Sequence, residues 1–248
     1  MAMAVNNNVY PLFLRLLVVS CISISGCQTT HEDITAQQQE INSMERVGNH
    51  DGLVRIYQGM LEQGNSSPQV LESLAWAYFN KGDIESADFY VQHLIESGFK
   101  GPTLYQLAGQ VAEAQENTEQ AITYYLAAIK SGNSSGKVHL LLGVAYANET
   151  RFDEAKTQFN TARLRGYDDK VVKNNIAMIH MAKGDYQAAV TTLSHVLENH
   201  PKDKTVRTNL AIALLKSDRI EAAKKLLSDD FDDLEFAEIV HDLAVLEG

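Results

Sequence analysis

The sequence predicts an all-α solenoid built from two-helix units, and three observations carry that prediction. Ala87, Ala121, Ala155, Ala189 and Ala223 recur every 34 residues, the period of a helix–turn–helix repeat. Ahead of each alanine comes an apolar or small pair followed by a third residue in fixed phase. These sets are Leu74-Ala75 with Tyr78, Ala108-Gly109 with Ala112, Leu142-Gly143 with Tyr146, Ile176-Ala177 with His180, and Leu210-Ala211 with Leu214. Four residues after each alanine stands a larger apolar residue: Val91, Tyr125, Phe159, Leu193 or Leu227.

In chain order, residues 1–26 read first as a secretory signal peptide. Arg15 supplies the positive charge, and Leu16 to Ile24 form an apolar run of h-region length. That run is shorter than the ~20 apolar residues a membrane span requires. Met3 is an alternative start. The stretch Ile24-Ser25-Gly26-Cys27 resembles a bacterial lipobox, with the small residues that the leader peptidase needs before its cut. The resemblance implies cleavage before Cys27 and acylation of its thiol and new amino group. Cys27 is otherwise a chance cysteine beside an ordinary cleavage site. The covalent lipid is the sole non-protein group expected, with no cofactor and no metal. Gln28 in place of an aspartate follows the enterobacterial pattern for sorting to the outer membrane, facing the periplasm. Residues 27–37 read as the lipidated cysteine and a polar tether.

The solenoid is expected over 38–248. A divergent first unit spans about 34–67, with Leu53 at the alanine position and Gly48 and Tyr57 in phase. Units at 68–101, 102–135, 136–169 and 170–203 follow, then a partial unit at 204–231. Within each unit the small residues let the first helix (A) approach the second (B), and apolar residues three and four apart form the buried stripes. Gly48-Asn49, Gly82-Asp83 and Gly184-Asp185 supply a left-handed helix end and then an N-cap. Where glycine is missing, Thr150 with Asp153 and Asp218 with Glu221 read as capped helix starts. Pro201 falls where a repeat ends. An acidic turn at 229–233 precedes a closing helix over 232–248. Leu234, Ala237, Val240, Leu243 and Ala244 are expected on the face of that helix that seals the core.

This pattern resembles the tetratricopeptide repeat, which implies a right-handed superhelical solenoid of about six units with a C-terminal capping helix. In that family, ligands lie on the concave surface formed by the A helices. Carried over by repeat position, the resemblance implies a groove of Trp76, Leu107, Leu140, Leu141, Val144, Asn175, Met178, Met181, Asn209, Ile212 and Leu215. A carboxylate clamp is not expected, because Asn175 and Asn209 lack accompanying basic residues and Lys137 stands alone. The apolar rows suit an amphipathic helix or an extended apolar peptide, and methionines add adaptable contacts. Asn175 and Asn209 are placed to bond its backbone. The alternative for each of these residues is packing against a neighbouring helix.

Composition narrows the function classes. The formal net charge is −11, which repels phosphate backbones and argues against nucleic acid. Both cysteines, Cys21 and Cys27, lie near the N-terminus, so no disulfide can staple the body. The eight histidines are scattered, without metal-ligand spacing. There is no phosphate loop, nucleophile elbow or nucleophilic cysteine. His139 and His180 fall on A helices, where they pack or are solvated. An enzyme is therefore not expected.

A lipobox followed by such repeats resembles the tetratricopeptide outer-membrane lipoproteins of tight-adherence (Flp) pilus systems. Val206 to Leu214, the broken last unit and one closing helix carry the likeness. Pilotins of type IV pili share the plan. The resemblance implies an assembly factor whose partner is an outer-membrane secretin or another pilus component. The alternative partners are cell-wall hydrolases or proteases, docked by a lipid-anchored periplasmic adaptor.

Overall fold

A computed structural model describes residues 31–228, 231–232, 234–238 and 240. The expected leader, Cys27, Gln28, Leu243 and Ala244 lie outside the described residues. The chain divides into two compact parts, residues 1–43 and 44–248.

Among the described residues twelve helices follow one another, and a closing helical segment includes residues 234–238. After α1 (His31–Val47) and α2 (His50–Glu62), the helices pair: α3 (Pro68–Lys81) with α4 (Ile84–Glu96), and α5 (Pro102–Ala114) with α6 (Thr118–Lys130). Then come α7 (Gly136–Asn148) with α8 (Phe152–Leu164), α9 (Asp169–Ala182) with α10 (Tyr186–Asn199), and α11 (Lys204–Lys216) with α12 (Ile220–Leu227). From α2 to α12 each helix packs on its sequence neighbours. The A helices also touch across units, α3 on α5, α7 on α9 and α9 on α11. Contacts that follow chain order are the mark of a solenoid.

The repeat residues make the core. Ala87, Ala121, Ala155, Ala189 and Ala223 are all fully buried, and so are Val91, Tyr125 and Leu193. Each buried large apolar side chain contributes about 1.5–3 kcal/mol. The A-helix position that faces helix B is graded in size. Gly109 lies against the ring of Tyr125 and Gly143 against that of Phe159. Where helix B offers Val91, Leu193 or Leu227, helix A carries Ala75, Ala177 or Ala211.

The turns between paired helices follow one geometry. Gly48, Gly82 and Gly184 take φ of +66°, +89° and +74°. Asn49, Asp83 and Asp185 then cap the next helix by accepting from the N–H of Gly52, Ser86 and Ala188. Thr150 and Asp218 correct the expectation. They are not N-caps but occupy the left-handed position itself, at φ +56° and +57°, as does Glu116 at +61°. The N-caps of α8 and α12 are Arg151 and Arg219, without a side-chain cap bond. The turn demands a residue there whether or not glycine is present.

Residues 31–37, read as part of the polar tether, are helical, because α1 begins at His31. The glutamine-rich stretch that follows has good helix propensity, and Gln38 donates to Asn42 one turn on at 2.9 Å. In the closing helix, Leu234 (78% exposed) and Ala237 face outward, whereas Phe236 is buried. Asp232 accepts from the N–H of Leu234 and Glu235 while Glu235 accepts from the N–H of Asp232. This reciprocal cap sets the register that turns Phe236, and Val240 one turn later, onto the last core cluster.

Candidate partner-binding groove

The pairing of α7 with α9 leaves a pocket of about 310 Å³ between successive A helices. Val144 and Ala147 of α7 form one wall, and Met178 and Ala182 of α9 form the other. Phe152 and Phe159 of α8 line it from helix B, with Phe159 itself almost wholly buried. Asn175 is the polar residue on the α9 side, and its amide donates to the Val171 carbonyl one turn back at 2.9 Å. Met178 is 40% exposed beside the pocket. The chemistry is that of a socket for an apolar anchor, with the amides of Asn148 and Asn175 at its edge.

The structure gathers Val144, Asn175 and Met178 around this pocket. Leu141 is half-buried against the core of the same unit, and Met181 and Leu215 against the C-terminal core. Ile212 is partly exposed on α11. Asn209 lies on the same helix and donates across the repeat boundary to Asn174 at 2.8 Å. One donor of each groove asparagine is therefore engaged within the protein. Leu107 and Leu140 are corrections. Leu107 is fully buried in the core cluster that also holds Ala75, Ala87, Val91 and Ala108, and Leu140 is packed in the central core. Neither is groove surface.

Sequence reasoning missed Ala147, Phe152 and Ala182, and placed Phe159 in the core only. Their signal was positional: each falls where helix B meets the next A helix, a junction that exposure at consensus groove positions does not reveal.

A second pocket, of about 350 Å³, lies nearer the N-terminus, where Trp76 sits. Glu45, His50, Tyr57, Ser73 and Asn80 line it together with Trp76, whose ring meets Phe79 edge-on at 6.0 Å. Burial pushes the Tyr57 hydroxyl above its ordinary range. Between the two pockets, Tyr125 donates to the carboxylate of Glu113. Burial raises the Glu113 carboxyl, against the lowering effect of that hydrogen bond. His139 is packed, with Nδ1 at 2.8 Å from the Gln158 side-chain oxygen. His180 lies 3.6 Å from Asp185. Among the described residues no group of three His, Cys, Asp or Glu side chains is placed to hold a metal.

Comparison with known proteins agrees with the architecture. Residues 68–97, 107–169 and 180–233 each match the tetratricopeptide repeat. Superkiller protein 3 of Schizosaccharomyces pombe is 31% identical over 120 residues, 48% of this chain; the match spans only 9% of that protein. A tetratricopeptide repeat protein from Parabacteroides merdae superposes with a TM-score of 0.66 at 12% identity, covering 79% of this chain and 77% of that one. PilW, a type IV pilus biogenesis factor, superposes with a TM-score of 0.58 at 15% identity, covering 66% of this chain and 76% of that one. Identities this low speak to the fold. With repeat pattern, helix pairing and matched segments in agreement, the chain belongs to the tetratricopeptide-repeat family.

Proposed function

We propose that this protein is a non-catalytic assembly factor for an outer-membrane secretin or pilus machine, held at the membrane by a lipid on Cys27. Its tetratricopeptide repeats make it a protein-interaction scaffold. The observation that carries the reading is the apolar pocket between α7 and α9, with Met178 half out of it on the A-helix side. An amphipathic helix or apolar segment of a partner fits that chemistry. The lipobox-like Ile24 to Cys27 and the fold shared with a pilus biogenesis factor support the choice of partner.

The test is affinity capture from detergent-solubilised envelope, comparing the lipidated protein with Met178→Asp/Ile212→Asp. Recovery of a secretin or pilus component that the variant loses, while the variant keeps its helical circular dichroism, is the expected result. Recovery of cell-wall hydrolases or proteases without any pilus component would replace the assembly factor by the adaptor. The anchor has its own test. Mass spectrometry of the membrane form is expected to find the chain starting at an acylated Cys27, and Cys27→Ser to abolish processing. An unacylated mature form would remove the anchor.

A further inference from the structure

The two pockets are one repeat feature, met twice, three repeats apart. Position for position, Glu45 answers to Ala147, His50 to Phe152, Tyr57 to Phe159 and Trp76 to Met178. Ser73 likewise answers to Asn175, and Asn80 to Ala182. The frame is shared and the chemistry inverted. The C-terminal pocket is lined by apolar side chains and two asparagine amides, with no ionisable group; the N-terminal one adds a carboxylate, an imidazole, two hydroxyls and an amide to Trp76, Leu53 and Ala77.

One of the two intervening units shows what this frame does when it is satisfied internally. Glu113 and Tyr125 occupy the positions of Glu45 and Tyr57, and there the tyrosine hydroxyl bonds the carboxylate directly. In the N-terminal pocket a polar ring atom remains unsatisfied: His50 Nδ1 is buried and has no hydrogen-bond partner. Lys81, which follows Asn80, is held by Asp51 at 2.9 Å. A site rich in acceptors, carrying a carboxylate and walled by Trp and Tyr, has the composition that accepts a guanidinium. That group brings five N–H donors, pairs with carboxylate and stacks on aromatic rings.

We propose that the N-terminal pocket receives an arginine side chain of the partner, while the α7–α9 pocket receives an apolar one. This rests on the groove reading above and deepens it. Two unlike sockets on one face fix the direction in which a partner segment lies, which a uniformly apolar groove would leave open.

Trp76 is the sole tryptophan of the chain, so its fluorescence reports on this pocket alone. The probe is N-acetyl-arginine amide, titrated into the full mature chain, with the norleucine and glutamate analogues as controls. The expected result is a saturable change in Trp76 emission with the arginine probe in the millimolar range and none with the controls. Glu45→Gln, at an exposed position, should weaken it about tenfold, as loss of a charge-assisted contact does, whereas Met178→Asp should leave it unchanged. No saturable change, an equal response to norleucine, or indifference to Glu45→Gln would overturn the proposal. Loss of arginine binding with partner capture intact would remove this inference and leave the groove reading standing. Arginine binding without capture would do the reverse.

Discussion

A Cβ placed on Gly143 would sit 2.6 Å from Cδ1 of Phe159, closer than real side chains approach. Gly109 stands in the same relation to Tyr125. Within a single chain, the residue on helix A has been matched in size to the one on helix B, glycine to an aromatic and alanine to an aliphatic. The consequence is that these glycines are steric positions within helices rather than turn positions.

Gly143→Ala should therefore destabilise the protein by about 1–3 kcal/mol through overpacking, despite the better helix propensity of alanine. Adding Phe159→Leu, which recreates the alanine–leucine pairing of Ala177 with Leu193, should recover part of that loss. Urea denaturation of the two single variants and the double checks both; additive losses would contradict the pairing.

Thr150 holds φ +56° at the turn before α8, a costly state for a β-branched residue. Thr150→Gly should stabilise by about 0.5–1 kcal/mol, relief of left-handed strain outweighing the added freedom of the unfolded chain. Thermal unfolding reads the gain as a higher Tm, and an unchanged or lower Tm would mean that the threonine makes an offsetting contact.

Much of this was legible beforehand. The alanine period located the helix pairs, because a fully buried position tolerates little else where two helices cross. The Gly-Asn and Gly-Asp turns were equally plain, since glycine and a capping side chain each have one physical purpose there. What sequence left hidden depended on neighbours. Leu107 and Leu141 look alike on a helical wheel, yet Leu107 is fully buried and Leu141 is only half-buried. Spacing alone puts Leu234, Ala237, Val240, Leu243 and Ala244 on one face of the closing helix; Val240 does meet the core, but Phe236 is buried there in place of Leu234 and Ala237. The pockets escaped notice because each draws on three helices at once.

Glu113 carries a pH signature. Its folded carboxyl is raised by burial, so its contribution to stability is most favourable in acid and falls as pH rises from the ordinary carboxylate range through the raised value. Tyr125→Phe removes the donor that supports the ionised form. It should cost about 1–3 kcal/mol near neutral pH and less near pH 4, where Glu113 is protonated. Denaturation at both pH values measures the difference, and an equal loss at each would show that the hydroxyl serves packing alone.

Lys170 and Asp203 join consecutive units at 2.6 Å, and Asp203 also caps α11 through the Val206 N–H. The lysine holds the Asp203 carboxyl below its ordinary range. That support is present above the ordinary carboxylate range and lost as pH falls through the depressed value. Asp203→Asn keeps a capping oxygen and removes the charge. The variant should melt lower than the parent in dilute buffer, and the gap should shrink in high salt. A gap independent of salt would assign the effect to the cap.

The central claim is that a protein partner lies along the A-helix face and enters the pocket between α7 and α9. Hydrogen exchange followed by mass spectrometry, with and without the captured partner, tests it most directly. The account predicts added protection at the ends of α7 and α9 that carry Val144, Ala147, Asn175 and Met178, with α10 unchanged. Protection confined to the B helices α8 and α10 would contradict it.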